Sequence, residues 1–284
     1  MNDGAVIMAP AGRVLDLFEG IRLTPTQRRI AHSLVEHAGA AAYLSAAEVA
    51  DLARVSQPSV TRFAMALGFD GYNALRRRLR ELVTDGTPAG AAGDNELQLA
   101  VRGEIDNLAR LADRLADRGP VAHAARLLAA TRPLPVLGLR AAAPIAAYFG
   151  YFAAKVLPDV RVFEHGGSLL ADRLEQARVA GATAMLAVVL PRYPVEALEA
   201  LREARAAGIA VVAITDSPVS PAADVADVAL PAAVGSRLVF DLHTAPMALT
   251  MVLLQAICDA APADVQLRLE QFERSVSRRR VFVP

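Results

Sequence analysis

Arginine carries most of the candidate chemistry in this chain. Between Arg54 and Arg80 there are six arginines, Arg54, Arg62, Arg76, Arg77, Arg78 and Arg80, against one acid, Asp70, a local net charge of +5. The whole chain has 30 basic and 30 acidic side chains and no net charge, so this excess is confined to one segment. Clustered guanidinium groups supply the salt-dependent phosphate attraction that dominates affinity for nucleic acid. Inside the same segment, Ser56, Gln57, Ser59, Thr61 and Arg62 follow each other closely. These side chains can read base edges and phosphates in a major groove. Arg76 and Arg77 extend the charge beyond them. The plainer reading is a small helical bundle with a solvated arginine face, which accounts for the charge but not for the helix signals around it.

A second set of residues suits a small anion. Arg140, Ser168, Arg192, Tyr193 and Thr215 all fall just after apolar, β-branched runs. In a parallel α/β sheet those positions are loops at the ligand-binding edge, each leading towards a helix N-terminus. An arginine there pairs with phosphate or carboxylate through two parallel hydrogen bonds. Surface ion pairs are the alternative for the arginines, helix capping for Ser168, and turn shaping for Thr215 and Asp216. Other chemistries lack support. Gly138 stands alone, without a dinucleotide fingerprint, and no phosphate-loop motif occurs. The five histidines show no metal-ligand spacing, and the single cysteine, Cys258, excludes an internal disulfide and a cysteine-rich metal site. Glu164, His165 and His243 are the candidates for an acid or base, with no spacing that links them. We therefore expect no catalytic residue, no metal and no cofactor.

The elements that must position these residues fall into two blocks. A length of 284 residues fits two domains, and 54% apolar residues supply the cores. The segment 84–95, rich in Gly and Pro, reads as the linker. Before it, Thr24-Pro25-Thr26-Gln27 and Ser45-Ala46-Ala47-Glu48 are helix-opening capping boxes. Ser56 caps a third helix that stops at Gly68. The pair over 45–67 has helix-turn-helix spacing, with Val49, Leu52, Val55, Val60 and Phe63 as the shared core and Ala50 at the close approach. Glycine is the usual residue at such a turn, and Arg54 stands there instead. After the linker, 96–117 and 120–131 read as helices. Strands follow at 135–138, 160–163, 184–190, 209–214 and within 225–230, with helices at 143–156, 194–207 and 242–260. The fold class is α/β: an all-α helix-turn-helix domain over 1–83, then a five-stranded parallel α/β sandwich over 96–284. The basic tail 274–280 reads as a solvated charge run. No apolar span is long enough for a membrane helix and no signal peptide opens the chain, so a cytoplasmic location is expected.

Three runs resemble the RpiR-type transcriptional regulators: Leu23-Thr-Pro-Thr-Gln27, the segment from Val49 to Phe63, and Ala66-Leu-Gly-Phe-Asp-Gly-Tyr72. In the second block, the segments 211–221 and 226–230 are similar to the sugar isomerase (SIS) domain. The resemblance implies an N-terminal helix-turn-helix that binds double-stranded operator DNA. It also implies a C-terminal sensor for an anionic, sugar-type metabolite, phosphorylated or not, and a homodimer or homotetramer. SIS domains that hold sugar phosphates usually carry serines and threonines in the loops after strands one and three. Here those loops read Leu139-Arg-Ala-Ala142 and Leu190-Pro-Arg-Tyr-Pro194, with an arginine in each. A sugar-phosphate isomerase, or a regulator whose SIS domain serves only in oligomerisation, are the alternatives.

Overall fold

The computed structural model describes residues 10–18, 21, 23–41, 44–84 and 95–281. Most of the linker expected at 84–95 lies outside them. The chain forms two compact units, residues 1–109 with 235–242, and 110–234 with 243–284.

The first unit is helical: α1 (Pro10–Asp16), α2 (Pro25–Glu36), α3 (Ala38–Ala41), α4 (Ala46–Ala53), α5 (Gln57–Ala66), α6 (Tyr72–Thr84) and the first part of α7 (Glu96–Arg114). Both capping boxes form. The Thr24 amide donates to Gln27 Oε1 at 2.8 Å, and the Ser45 amide to Glu48 Oε2 at 2.7 Å. Each box satisfies amides that a helix start would otherwise leave orphaned. Val49, Ala50 and Ala53 of α4 are buried with Val60, Phe63 and Ala64 of α5. Val55 is half-buried. Leu52, expected in this core, is instead 45% exposed. At the helical advance of about 100° per residue, it sits roughly 100° away from the stripe of Val49, Ala50 and Ala53.

The second unit is a parallel sheet of β1 (Leu134–Gly138), β2 (Val160–Phe163), β3 (Ala184–Val189), β4 (Ala210–Thr215) and β5 (Val228–Pro231), in the order β2-β1-β3-β4-β5. Its helices are α8 (Gly119–Ala130), α9 (Ala143–Val156), α10 (Ser168–Val179), α11 (Val195–Ala206), α12 (Pro221–Val225), α13 (Thr244–Ala260) and α14 (Pro262–Arg279). β1 and β3 are buried at every position, as strands covered on both faces must be. Leu137, Met185, Ala187 and Val211 pack with Leu170, Leu174 and Leu201 from α10 and α11. The alternate face lies under α8, α9 and α13. Gly138 closes β1 where no side chain fits: a Cβ there would stand 2.6 Å from both the Ala142 carbonyl oxygen and Ala146 Cβ. The helix α14 was not anticipated. Residues 274–279 of the basic tail form its last turns and Arg280 caps it, while Lys155 of α9 lies over the rings of Tyr151, Phe152 and Phe272 at 4.2, 4.7 and 4.8 Å. Among the described residues, no single helix is long and apolar enough to cross a membrane.

Candidate functional site

The turn between α4 and α5 decides how α5 is presented. Arg54 ends α4 in the left-handed region, at φ 51° and ψ 51°. Its carbonyl accepts from Arg29 Nη1 at 3.5 Å, and the Val55 amide closes the turn on the Ala50 carbonyl at 2.9 Å. Ser56 occupies the N-cap position of α5 but forms no side-chain cap. The reason is chemical. Pro58 lacks an N–H, and the Ser59 amide already donates to the Ser56 carbonyl at 2.9 Å. The Ser56 hydroxyl instead lies 2.8 Å from that of Ser59, which also accepts from Arg62 Nη2 at 3.4 Å.

Ser56, Gln57, Pro58 and Arg62 are exposed on this helix start, and Ser59 and Thr61 are half-buried. Thr61 turns its methyl towards Gly71, which holds φ +83° at the start of α6. Phe63 packs against Phe18 with ring centroids 5.7 Å apart, fixing α5 from behind. On α6, Arg77 is exposed and Arg76 half-buried, while Arg78 pairs with Glu81 at 3.0 Å. Tyr72 anchors α6 by donating to the Leu44 carbonyl at 2.9 Å, and burial pushes its phenol up to about 12. The arrangement offers hydroxyls, an amide side chain and guanidinium groups around an open helix N-terminus, which is a surface suited to phosphate and base edges.

In the second unit, strand order reverses direction between β1 and β3, and their register pairs Gly138 with Val188. The crevice beyond the carboxyl ends of these two strands is where open α/β sheets take ligands. Arg140 and Arg192 stand in the two loops that border it. Both are exposed and both are left-handed, at φ 54° and φ 61°. Neither guanidinium has a hydrogen-bond or ion-pair partner among the described residues. Ser168 is exposed as the first residue of α10; Gly167 takes the cap position, so Ser168 is not the cap. Tyr193 donates to both carboxylate oxygens of Asp216, at 2.8 and 3.0 Å, which ties the loop after β3 to the loop after β4.

Thr215 is fully buried. Its hydroxyl donates to Ser220 Oγ at 2.8 Å, and Ser220 Oγ in turn accepts from the Ala223 amide at 3.1 Å. It therefore braces the loop from below. Two residues escaped the sequence reading. Ser220 is one, although the capping signal Ser220-Pro221 was available. The other is Glu196, in the first turn of α11, whose carboxylate lies against Gly166 in the loop after β2. Among the described residues, no three His, Cys, Asp or Glu side chains gather as a metal site would require.

Two family models match this chain: a helix-turn-helix domain of the rpiR family over residues 19–85, and a SIS domain over residues 127–256. The chain joins an rpiR-family helix-turn-helix to a SIS domain. The sugar isomerase domain of an RpiR transcription factor from Sphaerobacter thermophilus is 26% identical, with a TM-score of 0.56, over 62% of this chain and 99% of that one. The NanR protein of Vibrio vulnificus, complexed with ManNAc-6P, is 18% identical, with a TM-score of 0.59, over 95% of this chain and 98% of that one. At that identity the likeness concerns the fold. Curated proteins give no match.

Proposed function

We propose that the chain is an effector-responsive DNA-binding regulator. Operator reading is assigned to the helix-turn-helix within 1–83, 84–95 connects, and effector binding is assigned within 96–284. The observation that carries the reading is the open N-terminus of α5, where Ser56, Gln57 and Arg62 stand exposed on a firmly packed helix. Two copies in a symmetric oligomer would set the spacing of two such helices, matching an operator with two-fold symmetry. The effector is a small anion held at the Arg140–Arg192 crevice, with Tyr193 and Asp216 fixing the loop that carries Arg192 and with Glu196 available to the hydroxyls of a polyol. A sugar phosphate, the ligand class of the NanR complex, and a sugar acid both fit that description. An effector that favours one oligomer geometry shifts the DNA-competent population, and DNA changes effector affinity by the same factor.

The test has two parts. Fragments upstream of the chain's own and neighbouring genes are titrated with protein across salt. One fragment should bind tightly, with affinity falling by about three to five powers of ten between roughly 50 and 200 mM salt if six or more phosphates are contacted. Arg62→Ala with Arg77→Ala should lower both affinity and salt slope. A panel of phosphorylated sugars and sugar acids is then screened by thermal shift on wild type and on Arg140→Ala/Arg192→Ala. A compound that stabilises wild type should leave the double variant unmoved while operator binding persists, and it should be recovered chemically unchanged. No specific fragment at any salt overturns the regulator reading. An unchanged thermal shift in the double variant overturns the arginine crevice. Conversion of the compound would favour the isomerase.

A further inference from the structure

We infer that α5 recognises a guanine flanked by thymine methyl groups, through Arg62 and the apolar side chains of Pro58 and Met65 beside it. This specificity rests on the regulator reading above and names the bases that such a regulator selects. The outward face of α5 carries it. Val60, Phe63 and Ala64 are buried. At about 100° per residue, Pro58, Arg62 and Met65 fall within roughly 60° of one another on the opposite side. All three are exposed, Met65 to 61%. Gln57 and Ser59 lie about 100° to either side of Pro58, on the flanks of that face. Its centre is therefore one guanidinium between two apolar groups.

The charge around this face favours DNA as what covers it. From Arg54 to Arg80 the net charge is +5, complementary to a phosphate backbone. Phosphate attraction needs only charge, however, and Pro58 and Met65 add none. Helix initiation accounts for a proline at this position, but not for an exposed methionine about one turn beyond Arg62. In a major groove, an apolar side chain has a specific target in the C5-methyl of thymine, and a guanidinium has one in guanine O6 and N7. Methionine suits the first, being unbranched, polarisable and able to follow the methyl. Arg62 is held for the second. Its Nη2 donates to Ser59 Oγ at 3.4 Å, and Ser59 Oγ lies 2.8 Å from Ser56 Oγ. That bond leaves the guanidinium donors enough for a bidentate contact. At about 1.5 Å per residue, Pro58 and Met65 stand about 10 Å apart along the helix, the length of about three base-pair steps.

Selection of duplexes by the full chain from a random-sequence library tests it, followed by titration of the selected duplex with single thymines replaced by uracil. Each half-site should hold a guanine with thymines, on either strand, within about three steps. Uracil lacks only the methyl, so at the contacted positions it should weaken wild type about fourfold. Met65→Ala should bind the thymine and uracil duplexes alike at one of those positions, and Pro58→Ala at the other. Arg62→Lys should keep the salt slope while its preference for guanine falls about fivefold or more. Circular dichroism and an unchanged salt slope establish that each variant is folded and still holds DNA. A selected duplex on which no uracil weakens wild type overturns the inference and leaves the regulator reading standing. A uracil effect that persists at every position in both Met65→Ala and Pro58→Ala also overturns it. A selection that enriches no sequence overturns it together with the regulator reading.

Discussion

Replacing Arg54 by glycine should stabilise the first unit, and the size of the gain follows from the turn. Arg54 sits at φ 51° and ψ 51°. For a residue with a Cβ, that well costs roughly 1–2 kcal/mol. Glycine removes the cost but returns about 0.5–1 kcal/mol, because its unfolded chain has more freedom to lose. The net gain for Arg54→Gly is therefore about 0.5–1 kcal/mol. Arg54→Ala loses the same charge but keeps the Cβ, so the difference between the two variants isolates the backbone. The bond from Arg29 goes to the Arg54 carbonyl, which both variants retain. For a unit of this size, the gain raises the melting temperature by about 2–8 °C. Hydrogen exchange at the Val55 amide, which closes the turn, reports the same change locally. If the glycine variant is no more stable than the alanine variant, by melting or by exchange, the strain assigned to this turn is refuted. Operator binding gives an independent reading: if the Arg54 guanidinium contacts a phosphate, both variants lose about 0.9 of the salt slope equally.

Tyr72→Phe should cost about 1 kcal/mol at neutral pH by leaving the Leu44 carbonyl without its donor, as read by urea unfolding. The phenol titrates at about 12 when folded and near 10 when unfolded, so wild type is stabilised below pH 10 and loses that stability as pH rises towards 12. The phenylalanine variant should be flatter over that range. Ser45→Ala should cost about 1 kcal/mol by opening the second capping box. The bond lost is the one the Ser45 hydroxyl accepts from the Glu48 amide, whereas the Ser45 amide, the main cause of the lowered Glu48 carboxyl pKa, is kept by alanine. The variant's loss should therefore be nearly independent of pH, and its acid limb, followed by circular dichroism, should keep most of the wild-type slope. Gly138→Ala drives a Cβ into the Ala142 carbonyl and Ala146, and should cost the second unit about 1–3 kcal/mol in chemical unfolding. Arg140→Gly and Arg192→Gly should each raise the melting temperature of the unliganded protein while weakening its response to the effector; a fall in melting temperature for both would contradict the strain assigned there.

Much of this architecture is readable where one local force dominates. The capping boxes at Thr24 and Ser45 are visible because their side-chain bonds reach only three residues along the chain. The run from Ala184 to Val189 is visible because burial on both faces leaves no polar position. Legibility fails where two requirements compete. Leu52 is apolar enough for the core, yet the phase set by Val49, Ala50 and Ala53 turns it outward. Ser56 has the right type for a cap, yet Pro58 removes one of the amides it would serve and Ser59 spends the other on the backbone. The helix α14 carries so much charge that its apolar stripe, Val265 and Val276, is thin. The strand order β2-β1-β3-β4-β5 comes from the structure. At the sheet edge, the loops after the strands could be anticipated, and with them the place of Arg140 and Arg192. The burial of Thr215 could not, because it depends on Ser220 folding back beneath the loop.

The backbone at the crevice gives those two arginines a weight that residue type alone does not. Among the described residues, every non-glycine residue with positive φ is an arginine: Arg54, Arg140, Arg192 and Arg280. Two of them end helices. Arg54 terminates α4 and Arg280 terminates α14, and at a helix end the left-handed conformation releases the chain while bonding the last carbonyls. The other two are different. Arg140 and Arg192 lie between a strand and the helix that follows it, where no carbonyls of a preceding helix need closing. Their side chains find no partner among the described residues, so nothing local repays roughly 1–2 kcal/mol at each position. Such strain persists where the surrounding structure imposes it, and it collects at binding sites. Here it falls on two adjacent loops, at the topological switch of the sheet, and on the side-chain type best fitted to a carboxylate or phosphate. Ion pairing on the surface would explain the residue type but not the conformation. The proposed effector, held between the two loops, would account for both.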